Sequence, residues 1–500
     1  MLSRRAKLFG ALLSLLLAYW GWQWLHQPPR ALSLPNGASL EWTDCWFDTS
    51  WWHPVHCGRL HTRTEPGAQP ASFSLPVVYA SAHFWARTRP PVVYVAGGPG
   101  GATGLDTEIM PVWLDWLEQV DWPADVIFYD QRGVGLSEPA LDCAELREQR
   151  RQLLDSELPA EAQYQALFQA MLACQARLQG EGWDLGRFNT RSNAADVLDL
   201  VATLGLEEWQ LYGVSYGTRV ALELMRDEAQ GLQAVVLDSV YPPQVHGERA
   251  NAWLLNRSLR LFTRTCELVP DCDYHRERLA ADLEKAMQRL RERPQRIDLR
   301  DPDDGRAVPV VMDHEDLAWL IFESQYTWSN LQLLPGAINA LAGGHVSSEL
   351  RNMMQLSLEG LLDESLSEAV GNSVECADNG PLDEAGFEAQ RRQFDLVAPL
   401  LRLDWRYGAC RGWHSGDVGD DFRQPVHSEI PTLLLAGEFD PVTPPQWAYR
   451  AAQGLPNSYL LTFPGIGHGV IDSDACAVDV VQAFWQKPAA PSVPVCVSLF

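Results

Sequence analysis

Positive charge is scarce in this chain: 39 Lys and Arg stand against 65 Asp and Glu, a formal net charge of −26. A nucleic-acid backbone is met with Lys and Arg, so this balance argues against a nucleic-acid partner. Metal-ligand spacing is also lacking. There is no C-x-x-C, and no cysteine stands at zinc-site spacing from a histidine, so no metal ligand is assigned. Neither a G-K-[ST] phosphate loop nor a G-x-G-x-x-G helix start occurs, which removes the usual phosphate cradles. Internal repeats and low-complexity tracts are missing as well. What remains is 500 residues, 46% of them hydrophobic and 20 of them Trp, enough for a large buried core.

The chain opens with Arg4, Arg5 and Lys7 ahead of an apolar run from Leu8 to Leu25. A basic stretch before such a run is an export signal, and its 18 residues approach the ~20 that span a bilayer. Residues 1–30 are therefore read as a signal anchor or signal peptide. The bulky "AYWGWQW" offers no small-residue cleavage site, which favours an anchor left in the membrane. Ten cysteines agree with a periplasmic or extracellular destination, where an even count implies disulfides. Their clustering suggests sequential pairs: Cys45–Cys57, Cys143–Cys174, Cys266–Cys272, Cys376–Cys410 and Cys476–Cys496.

Short apolar runs ending in turns recur along the chain: Val92–Val95 before "AGGPGG", Val126–Tyr129 before "DQRGVG", Trp209–Tyr212 before "GVSYG". "LQAVVLDS", "IPTLLLAGEFD" and "SYLLTFPG" continue the series. Continuous apolar runs with helical patterns between them predict a parallel sheet buried on both faces. The fold class expected is α/β, a mostly parallel, doubly wound sheet with a helical cap inserted between late strands. Residues 40–243 and 430–500 make the core in this reading, and 244–429 the cap, dominated by helical patterns with no strong parallel-strand signal. Residues 40–79 look β-rich, and Ala140–Phe188 looks helical.

Ser215 lies in "GVSYG", after an apolar run and before a helical pattern, the strand–turn–helix setting of a nucleophile elbow. Asp440 follows "TLLLAGEF" and His468 stands in "GIGHGV", so the chain order is Ser, Asp, His, each just past an apolar run. An aspartate at a turn or a histidine in a loop means little alone; three in this order predict a catalytic triad. The backbone N–H groups of Tyr216 and Gly98 are the expected oxyanion donors, from the elbow helix and the "GGPGG" loop.

Taken together, "GGPGG", "YDQRGVGLSEP", "GVSYGTRVALELM", "LAGEFDPVTPP" and "GHGV" resemble the α/β-hydrolase serine aminopeptidases, over most of the chain from about Pro90. These comprise the prolyl aminopeptidases and, more closely, the tripeptidyl-aminopeptidase-like branch. The resemblance implies an α/β-hydrolase fold and removal of short peptides or residues from free N-termini through an acyl-enzyme, with no cofactor. Ala96 departs from the prolyl pattern, which carries histidine before "GGPG". A free α-ammonium needs a carboxylate partner. The segment "SVECADNG" resembles the family's cysteine-x-acid segment and puts Asp378 first and Glu375 second for that role. Asp130 and Arg132 are expected to brace their loop. The leading expectation is an exported serine peptidase with a peptide as its partner. A carboxylic-ester hydrolase and a catalytically inactive, membrane-tethered binding protein are the alternatives.

Overall fold

The structure is a computed structural model that describes residues 27–49, 54–65, 67–82, 89–268, 276–380, 384–394, 397–398 and 405–488. The apolar run at 8–25, Cys272 and Cys496 lie outside the described residues. No helix among the described residues is long and apolar enough to cross a membrane.

Nine strands form the main sheet in the order β1-β2-β3-β5-β4-β6-β7-β10-β11. β1 (Ser39–Thr43), β2 (Val55–His61) and β3 (Ser74–Ala80) run antiparallel, and β3 pairs antiparallel with β5 (Val126–Tyr129). From β5 onward the sheet is parallel, through β4 (Val92–Val95), β6 (Trp209–Val214), β7 (Leu232–Asp238), β10 (Thr432–Gly437) and β11 (Ser458–Phe463). This is the α/β-hydrolase order with β1 added at the antiparallel edge. β5 and β10 are buried at every position, as continuous apolar runs require when helices cover both faces. β4 lies between β5 and β6, so the chain leaves it toward one side and returns on the other. That switch point opens a crevice at the carboxyl ends of β4 and β6.

Three bonds of the expected cysteine framework are present: Cys45–Cys57, Cys143–Cys174 and Cys376–Cys410. Cys266 and Cys476 are also disulfide-bonded. Such a set points to an oxidising, extracytoplasmic compartment. The first bond staples the β1–β2 end, where Thr43 pairs with Cys57. The second clips the helices Ala144–Leu153 and Ala160–Gly180.

The segment between β7 and β10 departs from an all-helical cap in two ways. It contains an antiparallel hairpin, β8 (Gln295–Arg300) and β9 (Ala307–Met312), in a sheet of its own. In β8 the buried Ile297 and Leu299 alternate with exposed Arg296, Asp298 and Arg300, the period-two pattern of a strand with one face on a core. Nor does the segment share one core. Helices from 247 to 361 pack around Phe262, Leu279, Ile321, Leu334 and Met353. Farther along, Ala369, Val370, Val374, Ala409 and Trp413 join the core cluster of the main sheet itself.

Candidate active site

Ser215 closes β6 and caps the helix Tyr216–Arg226, with φ 55° and ψ −122°. A non-glycine residue at such a φ stores ~1–3 kcal/mol of strain, which the surrounding packing must hold. Two glycines make that possible. A methyl at Gly213 would lie 2.6 Å from the Gly217 carbonyl, and one at Gly217 would run into the carbonyl of Val95. The turn is bonded on through Ser215 N–H to the Asp238 carbonyl (2.9 Å) and Thr218 Oγ1 to the Ser215 carbonyl (2.6 Å). Ser215 is half-buried at the crevice, while the Tyr216 ring is buried. As the first residue of its helix, Tyr216 has a backbone N–H without an intrahelical acceptor.

Asp440 and His468 come together from the turns after β10 and β11. His468 Nδ1 lies 2.9 Å from Asp440 Oδ2. The other Asp440 oxygen accepts the N–H groups of Val442 (3.0 Å) and Thr443 (2.7 Å), and Thr443 Oγ1 donates to Oδ2. These bonds assign the proton to Nδ1 and leave Nε2 as the base. Burial alone would raise the Asp440 pKa, but the imidazole and the Thr443 donors hold it below the usual carboxylate value. For His468 burial pulls downward, and the Asp440 carboxylate outweighs it, raising the imidazole above 6.5. Among the described residues no hydrogen bond joins Ser215 Oγ to this ring, a looseness common before substrate closes a site. Both turns instead meet at the end of β7. The carbonyl of Asp238 holds Ser215, and its carboxylate accepts Val470 N–H (2.9 Å) and Ile471 N–H (3.0 Å) just beyond His468.

The glycine loop after β4 lies against the serine. A methyl at Gly97 would stand 2.9 Å from Ser215 Cβ, and Gly98 is exposed in the crevice at φ 123°. Gln131 Nε2 donates to the Ala96 carbonyl (2.9 Å), and its Oε1 accepts from Asn193, which also donates to the Tyr216 hydroxyl. Strand-end loop and elbow helix are thereby tied through one buried amide pair. Asp130 takes the N–H groups of Thr103 and Leu136 at 2.8 Å each, and Arg132 is ion-paired with buried Asp196 (2.6 Å). Both brace the scaffold rather than face the crevice.

The two acids of "SVECADNG" differ from one another in their surroundings. Asp378 is 0% exposed, accepts Thr190 Oγ1 (2.6 Å), and stands 3.7 Å from the fully buried Arg219. Glu375 is half-buried, and its Oε2 meets the Tyr241 hydroxyl (3.2 Å) and the Asn379 amide. Glu375 is thus the more exposed of the two acids, and Asp378 is sealed between Thr190 and Arg219. The sequence held the signal. Val370, Val374 and Asp378 recur at four-residue spacing on the apolar face of the helix Glu368–Asn379, whereas Glu368, Asn372, Glu375 and Asn379 share the polar one. Arg219, missed in the sequence, lies 3.8 Å above the Tyr241 ring and donates to Asn379. One guanidinium against two carboxylates leaves a formal charge of −1 among these three groups. Burial is the first cause raising both acids, Asp378 to about 6, against the pull of Arg219.

Comparison with known proteins gives matches along most of the chain. Residues 398–496 match the family model described as TAP-like protein. The tripeptidyl aminopeptidase of Streptomyces lividans is 26% identical over 87% of this chain and 81% of its own. An Escherichia coli (strain K12) protein named only as a hydrolase, YuaR, is 23% identical over 87% of each. A solved proline iminopeptidase-related protein from Thermus thermophilus overlays 86% of this chain and 95% of its own, at 16% identity and a TM-score of 0.35. The hydrolase fold rests on the strand order.

Proposed function

We propose that this α/β hydrolase is an exported serine peptidase that cleaves peptide bonds near free N-termini. Ser215 Oγ attacks the scissile carbonyl while His468 Nε2 takes its proton. Asp440 holds the imidazole in the right tautomer and stabilises its charge. The N–H groups of Gly98 and Tyr216 receive the oxyanion, each worth roughly 3–4 kcal/mol in the transition state. His468 then protonates the leaving amine, and water releases the acyl group by the same route.

One observation carries the choice of peptides with free amines. The cluster behind the elbow helix has two carboxylates for one guanidinium, with Glu375 half-buried beside Asn379 and Tyr241. A substrate ammonium would complete that charge, with Glu375 as its ligand and Asp378 behind it. The family model and the Streptomyces relative support the same reading. The apolar run at residues 8–25 would hold the enzyme at a membrane surface.

The test uses peptide p-nitroanilides with free and acetylated N-termini. Hydrolysis of the free form alone, lost in Ser215→Ala, supports the proposal. Equal rates on both forms would remove the free-amine requirement, and cleavage of p-nitrophenyl esters without cleavage of either peptide would make the enzyme an ester hydrolase. A fluorophosphonate that fails to label Ser215 would leave only a binding protein.

A further inference from the structure

The loop that carries Gly98 is not held by the main sheet alone. Ser367 N–H donates to the Gly100 carbonyl (2.8 Å), and Ala102 N–H donates to the Ser365 carbonyl (3.1 Å). Gly101 and Leu366 thus form a one-step antiparallel bridge between the loop and the insertion. Ser367 is fixed in turn: its Oγ donates to the Leu141 carbonyl (2.5 Å) and caps the helix Glu368–Asn379 by accepting Val370 N–H. Gly100 adopts φ 91°, and a side chain on it would collide with the Ser367 carbonyl. At Gly371, in the first turn of that helix, an added methyl would lie 3.0 Å from the Pro99 carbonyl oxygen. Nothing in the helix itself requires glycine there, since Gly371 has no positive φ and alanine is the better helix former. What crowds an added methyl is the backbone of Pro99, the residue after Gly98.

We infer that Gly371 and the Ser365–Ser367 bridge are positioning elements for the oxyanion loop, so that the insertion sets where the Gly98 N–H points. The inference rests on the reading of Gly98 as an oxyanion donor. A methyl at Gly371 meets backbone rather than a flexible side-chain end, so the loop must give by a few tenths of an ångström. Donors aimed at a developing charge lose their effect over such distances, because the preorganised geometry is what stabilises the transition state.

The experiment uses the full chain and p-nitrophenyl acetate, a substrate that needs the triad and the hole but no amine. For Gly371→Ala the expected result is a kcat about tenfold lower, a KM within twofold of wild type, and a thermal midpoint equal to wild type or higher. The Ki of phenylboronic acid, whose adduct places an oxygen in the hole, should rise in step with the fall in kcat. Gly336→Ala, at a helix glycine with open space around it, should change neither. Should Gly371→Ala fail to fold, Ser367→Ala removes the bond to Leu141 and the cap, and should lower kcat and weaken the boronic acid together. A Gly371→Ala kcat within twofold of wild type, or a loss of rate without loss of boronic-acid affinity, overturns the inference. Ester turnover retained by Ser215→Ala overturns the underlying triad instead, and a wild-type chain inert to both probes overturns the two together.

Discussion

Residues 247–361 of the insertion pack on one another, whereas the helix Glu368–Asn379 packs on the core of the main sheet. Each half reaches the crevice by its own route. From the first half, Arg257 donates to the carbonyls of Asp440 (2.8 Å) and Glu438, and the Tyr326 carbonyl accepts His468 N–H (3.0 Å). The Tyr326 ring also stands edge-on to the imidazole, 5.1 Å between centroids. Contacts from the second half fall on the oxyanion loop and include Glu375. So the acid and histidine turns lean on a body with a separate core as well as on β7, while the glycine loop leans on the helix Glu368–Asn379, and Tyr241 of the separate core meets Glu375. A single stretch of sequence therefore serves two structural parts with separate tasks, and these can be separated by substitution.

The largest effect should come from a residue both halves depend on. Asp440→Asn removes the acceptor that fixes the His468 tautomer, and kcat on esters and peptides alike should drop by roughly 10⁴ with the fold intact by circular dichroism. Glu375→Gln tests the second half alone. It should lower kcat/KM for free-amine peptides by about 10²-fold, the loss of a buried charge partner, and leave p-nitrophenyl acetate within twofold. An equal loss on both substrates would dissolve the distinction between the halves. Arg257→Met tests the first half. Losing two charge-assisted bonds to the Asp440 turn should cost about 2 kcal/mol of stability by urea titration, and roughly tenfold in kcat on either substrate. The smallest effect is expected from Tyr326→Leu, which removes an edge-on ring contact of ~1 kcal/mol and should slow both substrates a few-fold.

A pH profile sharpens the same contrast. His468 must be neutral to act as base, and its pKa is raised above 6.5 by the Asp440 carboxylate against the downward pull of burial. Ester kcat/KM should therefore be full at alkaline pH and fall as pH drops through a midpoint above 6.5. Stopped assays across about pH 5–9 check this. In Asp440→Asn the residual activity should show its midpoint at lower pH. An unchanged midpoint would mean that the acid does not act through His468.

Much of this arrangement was legible in the sequence because it is local. Apolar runs with turns behind them marked every parallel strand, and Ser215, Asp440 and His468 each follow such a run. The hairpin β8–β9 was missed because only β8 alternates, over six residues, β9 does not, and both sit among long helical patterns. The difference in burial between Asp378 and Glu375 required knowing which side of one helix meets the core. Arg219 was hidden for a different reason. It stands in the helical pattern after the elbow, and its guanidinium is 0% exposed, kept inside by Asp378, Asn379 and the Tyr241 ring. Such burial depends on partners far along the chain, and local periodicity carries no trace of them.

Cys376 stands between Glu375 and Asp378, and its bond to Cys410 ties the helix under the oxyanion loop to the helix Trp405–Gly412 across a separation of 34 residues. A loop of that size corresponds to ~4 kcal/mol of chain entropy removed from the unfolded state. The compartment in which the protein is produced is thus part of any assay performed on it. Material made in a reducing cytosol assembles that helix without its tie, and a low rate from such a preparation measures the missing cross-link together with the chemistry.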